Sequence, residues 1–267
     1  MRPIGSAAMP SELLTRREGS VLVLSISDPA SRNTLSAQVL AAGIETLNVA
    51  ESETEVRAVV LRGEGEHFCA GGNVYGLAER RATGKAAQRE MLEHLHQFIE
   101  ALRAFPKPIV AAVEGAAAGA GFAVALACDL IVAAEDAQFT LSYARLGLSP
   151  DAGASWNLLQ VLPRTRVQRM LWLAEPVTAA ELHRDGVVGW LAPRGEALSE
   201  AMALAQRLVA MAPNALASAK ELLQLAPTRS LHQQLVAERE HFVDNLFHEN
   251  GAEGLQAFVD KRPPRFT

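Results

Sequence analysis

Short apolar runs alternate with polar, glycine-containing turns along the first two-thirds of the chain. Each run is continuous and bounded by turn residues, a pattern that is typical of a buried β-strand. The predicted strands are residues 21–26, 56–61, 109–113 and 130–133, and a last one is predicted at 187–191.

Helical patterns occupy the stretches between these runs. Ser36 is placed to cap a helix that continues to about Glu51, and Thr178 to cap a second one. Residues 88–105 carry an apolar stripe at helical spacing, and residues 156–162 form a shorter helical pattern. The stripe comprises Met91, Leu92, Leu95, Phe98, Ile99 and Leu102.

The end of the chain differs from the rest because it contains only helical patterns. These cover residues 196–211, 215–225, 229–248 and 251–260. The alternation of strand, turn and helix before Pro176, followed by helices, predicts an α/β fold with a spiral core and a helical C-terminal region. We place the boundary between residues 1–195 and 196–267. Residues 1–12 are predicted as a loose tail, and the charged, weakly patterned residues 76–88 as a mobile segment.

Composition narrows the class of protein. The chain has 267 residues, of which 49% are hydrophobic, and this length is ample for a sizeable core. Its net charge of −5 and the lack of a long basic run argue against a nucleic-acid partner. Two cysteines make no disulfide framework, and we find neither a signal peptide nor an apolar run that could span a membrane. We therefore expect a soluble cytoplasmic protein with no membrane partner.

Two glycine-rich turns carry the first indication of chemistry. One follows the strand-like run 109–113 and leads through Gly119-Ala120-Gly121 into the apolar run 122–127, which is predicted as a helix beginning near Gly119. A helix N-terminus has unpaired N–H groups and a partial positive charge, so it suits an oxyanion. The second turn, residues 67–73, follows another predicted strand and ends in Gly71-Gly72-Asn73. A tightly packed core helix would give the first pattern equally well.

Four blocks in this order and separation resemble the crotonase (enoyl-CoA hydratase/isomerase) superfamily over nearly the whole chain. They are residues 67–73, Pro106-Lys107-Pro108, Gly119-Ala120-Gly121 and Cys128-Asp129. The resemblance implies a ββα superhelix, with subunits assembled as homotrimers or dimers of trimers through the C-terminal region. It also implies an acyl-CoA substrate carried as a coenzyme A thioester, with no bound cofactor and no metal.

The resemblance assigns roles to particular residues. The backbone N–H groups of Gly72 and Ala120 would stabilise an enolate. Hydratases of the family use two glutamates to activate water, and this chain has Ala123 and Tyr143 at those positions. The remaining acidic candidate is Asp151, which lies in a block that lines the acyl pocket in the family. Its structural alternative is a helix cap.

His96 and Tyr143 allow further interpretations. In the dehalogenases of this family an aspartate at this point is a nucleophile and an earlier histidine assists it, so Asp151 with His96 could catalyse hydrolysis or dehalogenation. His96 could equally be a packed, hydrogen-bonded residue. Tyr143 could line the acyl pocket, hydrogen-bond the substrate or simply pack in the core. Positions implied to contact substrate or CoA are Arg32, Ala70, Asn73, Val74, Tyr75, Tyr143, Phe258 and Lys261.

These residues favour one function with two alternatives. The resemblance is nearest to the ring-epoxide/oxepin isomerases of phenylacetyl-CoA breakdown, in which one carboxylate shuttles a proton. A carboxylate in an apolar pocket has a raised pKa, which suits it to take and return a proton. We therefore expect an isomerase or lyase of the enoyl-CoA hydratase/isomerase type. The alternatives are the Asp151–His96 nucleophilic enzyme and a CoA-binding homologue without activity.

Overall fold

A computed structural model describes residues 11–267, and its main element is a six-stranded sheet. The strand order is β1–β2–β3–β4–β6–β9, with β1 antiparallel to β2 and all other neighbours parallel. A second sheet has the order β5–β7–β8. The strands are β1 Glu12–Glu18, β2 Val21–Ser27, β3 Ala58–Gly63, β4 Ile109–Val113, β5 Ala116–Ala118, β6 Leu130–Ala134, β7 Gln138–Thr140, β8 Val177–Thr178 and β9 Trp190–Ala192.

Helices cover both faces of the main sheet. They are α1 Ala37–Ser52, α2 Val74–Thr83, α3 Lys85–Ala104, α4 Ala120–Ala127, α5 Ala154–Val161, α6 Arg164–Gln168, α7 Ala179–Arg184, α8 Ala197–Val209, α9 Pro213–Leu225, α10 Leu231–Phe247 and α11 Glu249–Val259. No helix within residues 11–267 is both long and apolar enough to cross a membrane. The predicted α/β class with a helical C-terminal region is confirmed.

The two faces of the sheet enclose two separate apolar cores. Along β2, Leu22, Leu24 and Ile26 point into the larger core, whereas Val21 and Val23 point into the smaller one. Buried residues of α8 close the smaller core against β3, β4 and β6. Both faces are covered, as expected for parallel strands, which explains why these strands are continuous apolar runs in the sequence. Helix α8 therefore belongs to the packed core, although it lies in the C-terminal region.

Several local predictions are confirmed. The Ser36 hydroxyl accepts a hydrogen bond from the Val39 N–H and caps α1. Thr178 forms a capping box with Glu181 at the start of α7. In α3, the predicted stripe is buried at four positions and half-buried at Met91 and Leu92.

Other predictions are wrong in part. Residues 76–88, expected as a mobile segment, form most of α2 and the first turn of α3, with Gly84 between them. The predicted tail 1–12 lies mostly outside the described residues, but its last two residues are placed. Glu12 begins β1, a strand that the sequence pattern does not indicate. The last strand is shorter and later than predicted, since β9 spans Trp190–Ala192 rather than residues 187–191.

Candidate active site

The N-terminus of α4 is buried, since Ala120 is only 5% exposed. Residues Ala120 to Ala125 of this helix are all buried. A side chain at Gly121 would place its Cβ 2.3 Å from the Cys69 carbonyl oxygen. Only glycine therefore allows the helix to approach the segment that follows β3.

That segment lies directly against the helix end. The Ala118 N–H donates to the Cys69 carbonyl at 2.9 Å, and the Ala70 N–H donates to the Arg32 carbonyl at 2.9 Å. Gly71 has a φ of +84°, and a Cβ there would lie 2.6 Å from the Ala118 carbonyl oxygen and 3.1 Å from the Ala120 nitrogen. Both glycine-rich turns of the sequence thus meet at one place.

Two backbone N–H groups at this meeting point have no acceptor. Neither the Gly72 N–H nor the Ala120 N–H donates a hydrogen bond to any other part of residues 11–267. The Ala120 N–H is an unpaired group of the first helical turn, where the helix dipole adds partial positive charge. These groups can donate to an anionic oxygen.

Tyr143 and Asp151 form the adjacent side of the site. The Tyr143 hydroxyl donates to Asp151 Oδ1 at 2.6 Å. A Cβ built on Gly119, the residue before Ala120, would lie 3.9 Å from both Cζ and Oη of Tyr143. Only 8% of Tyr143 is exposed, and Asp151 is half-buried. The Asp151 carboxylate and the residue that precedes α4 therefore both lie near the hydroxyl end of the Tyr143 side chain.

Burial is the main influence on the Asp151 carboxylate. It raises the pKa of Asp151 above the ordinary value, while the Tyr143 hydrogen bond and the charge of His96 act in the opposite direction. Burial, followed by the negative charge of Asp151, raises the pKa of Tyr143 far above its ordinary value. Tyr143 is therefore a neutral donor at physiological pH, and Asp151 is the group suited to exchange a proton.

The backbone next to Asp151 is unusual. Ala152 is buried with a φ of +52°, and Gly153 follows with a φ of +74°. A non-glycine residue in the left-handed region costs about 1–3 kcal/mol and is common at functional sites. Asp151 does not cap α5 with its side chain, because the N-cap residue is Gly153 and no side chain bonds to that helix end.

Other candidate groups are held in structural roles. The Glu114 carboxylate accepts from the Gly195 and Ala197 N–H groups and so anchors the start of α8. Burial raises the pKa of the Cys69 thiol to about 12, so it is not a nucleophile at neutral pH. Ala123 is fully buried inside α4 and carries no acid or base.

The residues implied to contact CoA lie on several different elements of the fold. Arg32 is exposed in a left-handed turn, and its carbonyl bonds to the half-buried Ala70. Asn73 caps α2 through its side chain, which precedes the exposed Val74 and Tyr75. Phe258 is 85% exposed at the end of α11, and the exposed Lys261 follows it. His96 lies on the exposed side of α3.

Two cavities lie away from Asp151. One of about 630 Å³ is a shallow groove between α1 and α3, and its lining includes His94. The other, of about 660 Å³, lies between the core and α9 and is lined by the ion pair of Asp129 and Lys220, whose atoms are 2.9 Å apart. Neither contains Tyr143 or Asp151 in its lining.

Comparison with known proteins identifies the family. The sequence model of the Enoyl-CoA hydratase/isomerase family matches residues 16–267. This chain belongs to that family. This family forms part of the crotonase superfamily, so the predicted superfamily and its fold are confirmed. The chain is an enzyme of the enoyl-CoA hydratase/isomerase type.

Individual relatives cover almost the whole chain. The chain is 33% identical to a 2,3-dehydroadipyl-CoA hydratase of Escherichia coli over 96% of its own length and 98% of that protein. It is 32% identical to a 1,2-epoxyphenylacetyl-CoA isomerase of the same organism, again over 96% and 98%. A crystal structure of an enoyl-CoA hydratase from Polaromonas sp. JS666 superposes with a TM-score of 0.95 at 50% identity, covering 96% of this chain and 100% of the other.

Two features of the site were not predicted from the sequence. The hydrogen bond between Tyr143 and Asp151 joins residues in an irregular segment, where no periodic pattern indicates which side chains face each other. The left-handed Ala152 gives no signal either, because alanine does not favour that conformation. The glycine pair Gly71 and Gly121, in contrast, could have been identified as a close approach of two backbones.

Proposed function

We propose that this chain is an acyl-CoA isomerase that moves a double bond, or opens or rearranges a ring, by way of an enolate. The observation that carries this proposal is the arrangement of Gly72, Ala120 and Asp151. Two N–H groups that find no acceptor within residues 11–267 lie at the start of α4, and a carboxylate with a raised pKa lies on the adjacent side of the site.

The chemistry follows from these groups. Asp151 takes a proton from a carbon next to the thioester carbonyl, and the electron pair moves to the carbonyl oxygen. The Gly72 and Ala120 N–H groups then stabilise that negative oxygen, and one such donor contributes about 2.7–4 kcal/mol of transition-state stabilisation. Asp151 returns the proton to a different carbon, so the reaction changes the position of unsaturation without adding or losing atoms.

Simple hydration is disfavoured by residue identity. Ala123 is buried and apolar, and the Tyr143 hydroxyl is already a donor to Asp151. Neither can activate water as a carboxylate base. The relatives include both a hydratase and an isomerase, so family membership alone supports either reaction.

A second function is supported by His96. A positive charge on His96 lowers the pKa of Asp151, so the two groups interact electrostatically. In this function Asp151 attacks the thioester carbonyl carbon and expels the CoA thiolate, or attacks a halogen-bearing ring carbon and expels the halide. His96 then activates a water molecule that hydrolyses the resulting ester of Asp151. This mechanism forms a covalent intermediate, and the isomerase mechanism does not.

Substitution of the two residues separates these functions. We expect Asp151→Asn to lower isomerisation of β,γ-hexenoyl-CoA and its deuterium uptake from deuterated water by about 10²–10⁴-fold, because a positioned acid/base contributes that much. His96→Gln should keep most of the activity. Product formation and deuterium content are read by mass spectrometry.

Other results would change the conclusion. If both variants are inactive and the quenched wild-type enzyme carries an acyl mass on the peptide containing Asp151, the nucleophilic function is correct. An active Asp151→Asn enzyme would contradict both. CoA binding without any turnover across a panel of acyl-CoA thioesters would support the non-catalytic homologue.

We also propose that the chain assembles as a homotrimer or a dimer of trimers. Helices α9 and α10 have no buried residues, and α11 has only two, although all three helices carry large apolar side chains. Patches of this kind on an isolated chain indicate a contact surface. Light scattering after size-exclusion chromatography measures the oligomer directly. The exposed apolar side chains of α9 to α11 include Leu223, Leu235, Phe242, Phe247, Leu255 and Phe258.

The cytoplasmic location of the protein stays a prediction.

A further inference from the structure

The two oxygens of the Asp151 carboxylate have different surroundings. Oδ1 accepts the Tyr143 hydroxyl at 2.6 Å. Among residues 11–267, Tyr143 is the one side chain that donates a hydrogen bond to this carboxylate, and Oδ2 accepts from no other side chain. A carboxylate that one side chain holds at a single oxygen is restricted in its orientation, while its other oxygen stays able to accept a proton.

We infer that Tyr143 is the positioning residue of this site: its hydroxyl holds Asp151 through Oδ1, so that Oδ2 takes the substrate proton and returns it. The inference rests on the proposed function, in which Asp151 is the acid/base. It assigns Tyr143 a role that differs from contact with the substrate and from simple core packing.

Tyr143 is well suited to this role because its own position is fixed. Its ring is buried and lies against Gly119, so the hydroxyl cannot move without the ring leaving the core. The turn 144–146 follows immediately, and its Leu146 N–H and the Leu148 N–H both bond to the Tyr143 carbonyl. A hydrogen bond from a hydroxyl to an ionised oxygen is short and strong, as the 2.6 Å distance indicates.

The hydrogen bond also affects the charge of Asp151. It favours the ionised carboxylate and so opposes burial, which is the largest influence on the pKa of Asp151. His96 on α3 acts on Asp151 in the same direction through its charge. Removal of the hydroxyl should therefore raise the pKa of Asp151 and also release its orientation.

The first test uses the small number of tyrosines. The chain has only two, Tyr75 and Tyr143, so labelling with ζ-¹³C tyrosine gives two resonances. Tyr143→Phe assigns them by removing one. We expect the Tyr143 resonance to shift with pH as Asp151 ionises, and this shift should vanish in Asp151→Asn. Tyr75 is 84% exposed and should not report the titration. A Tyr143 resonance that ignores pH, or that still shifts in Asp151→Asn, would overturn the inference.

The second test is kinetic. Tyr143→Phe keeps the ring and removes the hydroxyl, and we expect kcat for β,γ-hexenoyl-CoA to fall about 10- to 100-fold with little change in KM. The acidic limb of the rate–pH profile should move to higher pH. Thr178→Ala is the matched control, because it also removes a hydroxyl with a structural hydrogen bond but lies outside the site. It should lower thermal stability without moving the pH profile.

The outcomes separate the inference from the proposed function. If Asp151→Asn is inactive while Tyr143→Phe keeps the wild-type kcat and pH profile, the inference is wrong and the proposed function stands. If Asp151→Asn is active, the proposed function fails and the inference fails with it. If Tyr143→Phe only loses stability, as Thr178→Ala does, Tyr143 is a packing residue.

Discussion

The two sides of the candidate site are built in different ways. One side is backbone: the N–H groups of Gly72 and Ala120, brought together by the close approach of Gly71 and Gly121 to neighbouring chain segments. The other side is made of side chains, Tyr143 and Asp151, on an irregular segment with left-handed residues. The backbone side requires positions without a side chain, so that two chain segments can approach each other. The other side requires particular residue types at positions 143 and 151.

This difference has a consequence for function. A backbone donor tolerates a change of side chain, so Ala120 can supply its N–H although it is not glycine. A side-chain acid/base has no such tolerance, and we expect a change at positions 123, 143 or 151 to change the reaction. Within this family we therefore expect the backbone side to set the class of substrate and the side-chain side to set the chemistry.

The largest effect should follow from filling the space at Gly71. Gly71→Ala places a Cβ 2.6 Å from the Ala118 carbonyl, so the two donor segments must separate. We expect activity to fall by more than about 10³-fold, since both donors move. Stability should fall by about 1–3 kcal/mol for the forced shift, in addition to about 1–2 kcal/mol for alanine in the left-handed region. Steady-state kinetics and thermal unfolding measure the two effects.

Gly65→Ala is the matched control. Gly65 has a φ of +76°, but a Cβ there would lie no closer than 3.6 Å to its nearest neighbour, Pro29. This variant has the same left-handed cost without the clash and should stay active. Equal losses of activity in both variants would show that backbone strain, and not the separation of the donors, explains the effect.

A smaller loss is expected from removing one donor only. Ala120 is the first residue of α4, a position at which proline is tolerated because its missing N–H has no helical partner. Ala120→Pro should lower kcat about 10²–10³-fold. Ala37→Pro makes the same change at the first residue of α1 and should leave activity intact. An active Ala120→Pro enzyme with the wild-type melting temperature would remove Ala120 from the proposed mechanism.

The same contrast explains which features could be predicted from the sequence. The buried strands and the two glycine turns are continuous patterns, and the structure contains both. Helix α2 has no buried residue and therefore no apolar stripe, so residues 76–88 gave no helical signal. Strand β1 is exposed along almost its whole length and looks polar in the sequence. The link between Tyr143 and Asp151 depends on an irregular backbone that no periodicity describes.

The smallest expected effect is the contribution of the Asp151 carboxylate to the stability of the fold. Burial raises the pKa of Asp151, so the folded chain holds the Asp151 proton more tightly than the unfolded chain, in which the pKa of aspartate is about 3.9. Between these two values the folded state binds more protons, and the stability contributed by this group falls as pH rises. At pH values above the pKa of Asp151 in the folded chain, the ionised buried carboxylate destabilises the fold to its full extent. Asparagine at position 151 resembles the neutral acid and therefore avoids this destabilisation.

Asp151→Asn should therefore melt at a higher temperature than the wild type at neutral pH while it loses activity. The difference in melting temperature should shrink as pH falls toward about 3.9, where Asp151 is protonated in both states. Asn157→Asp makes the opposite change, from an amide to a carboxylate, at a residue outside the site. Asn157 is buried and accepts a hydrogen bond from Arg103. If Asp151→Asn is less stable than the wild type at neutral pH, the carboxylate stabilises the fold. Asp151 would then resemble the structural residues of the backbone side, and the contrast between the two sides would fail.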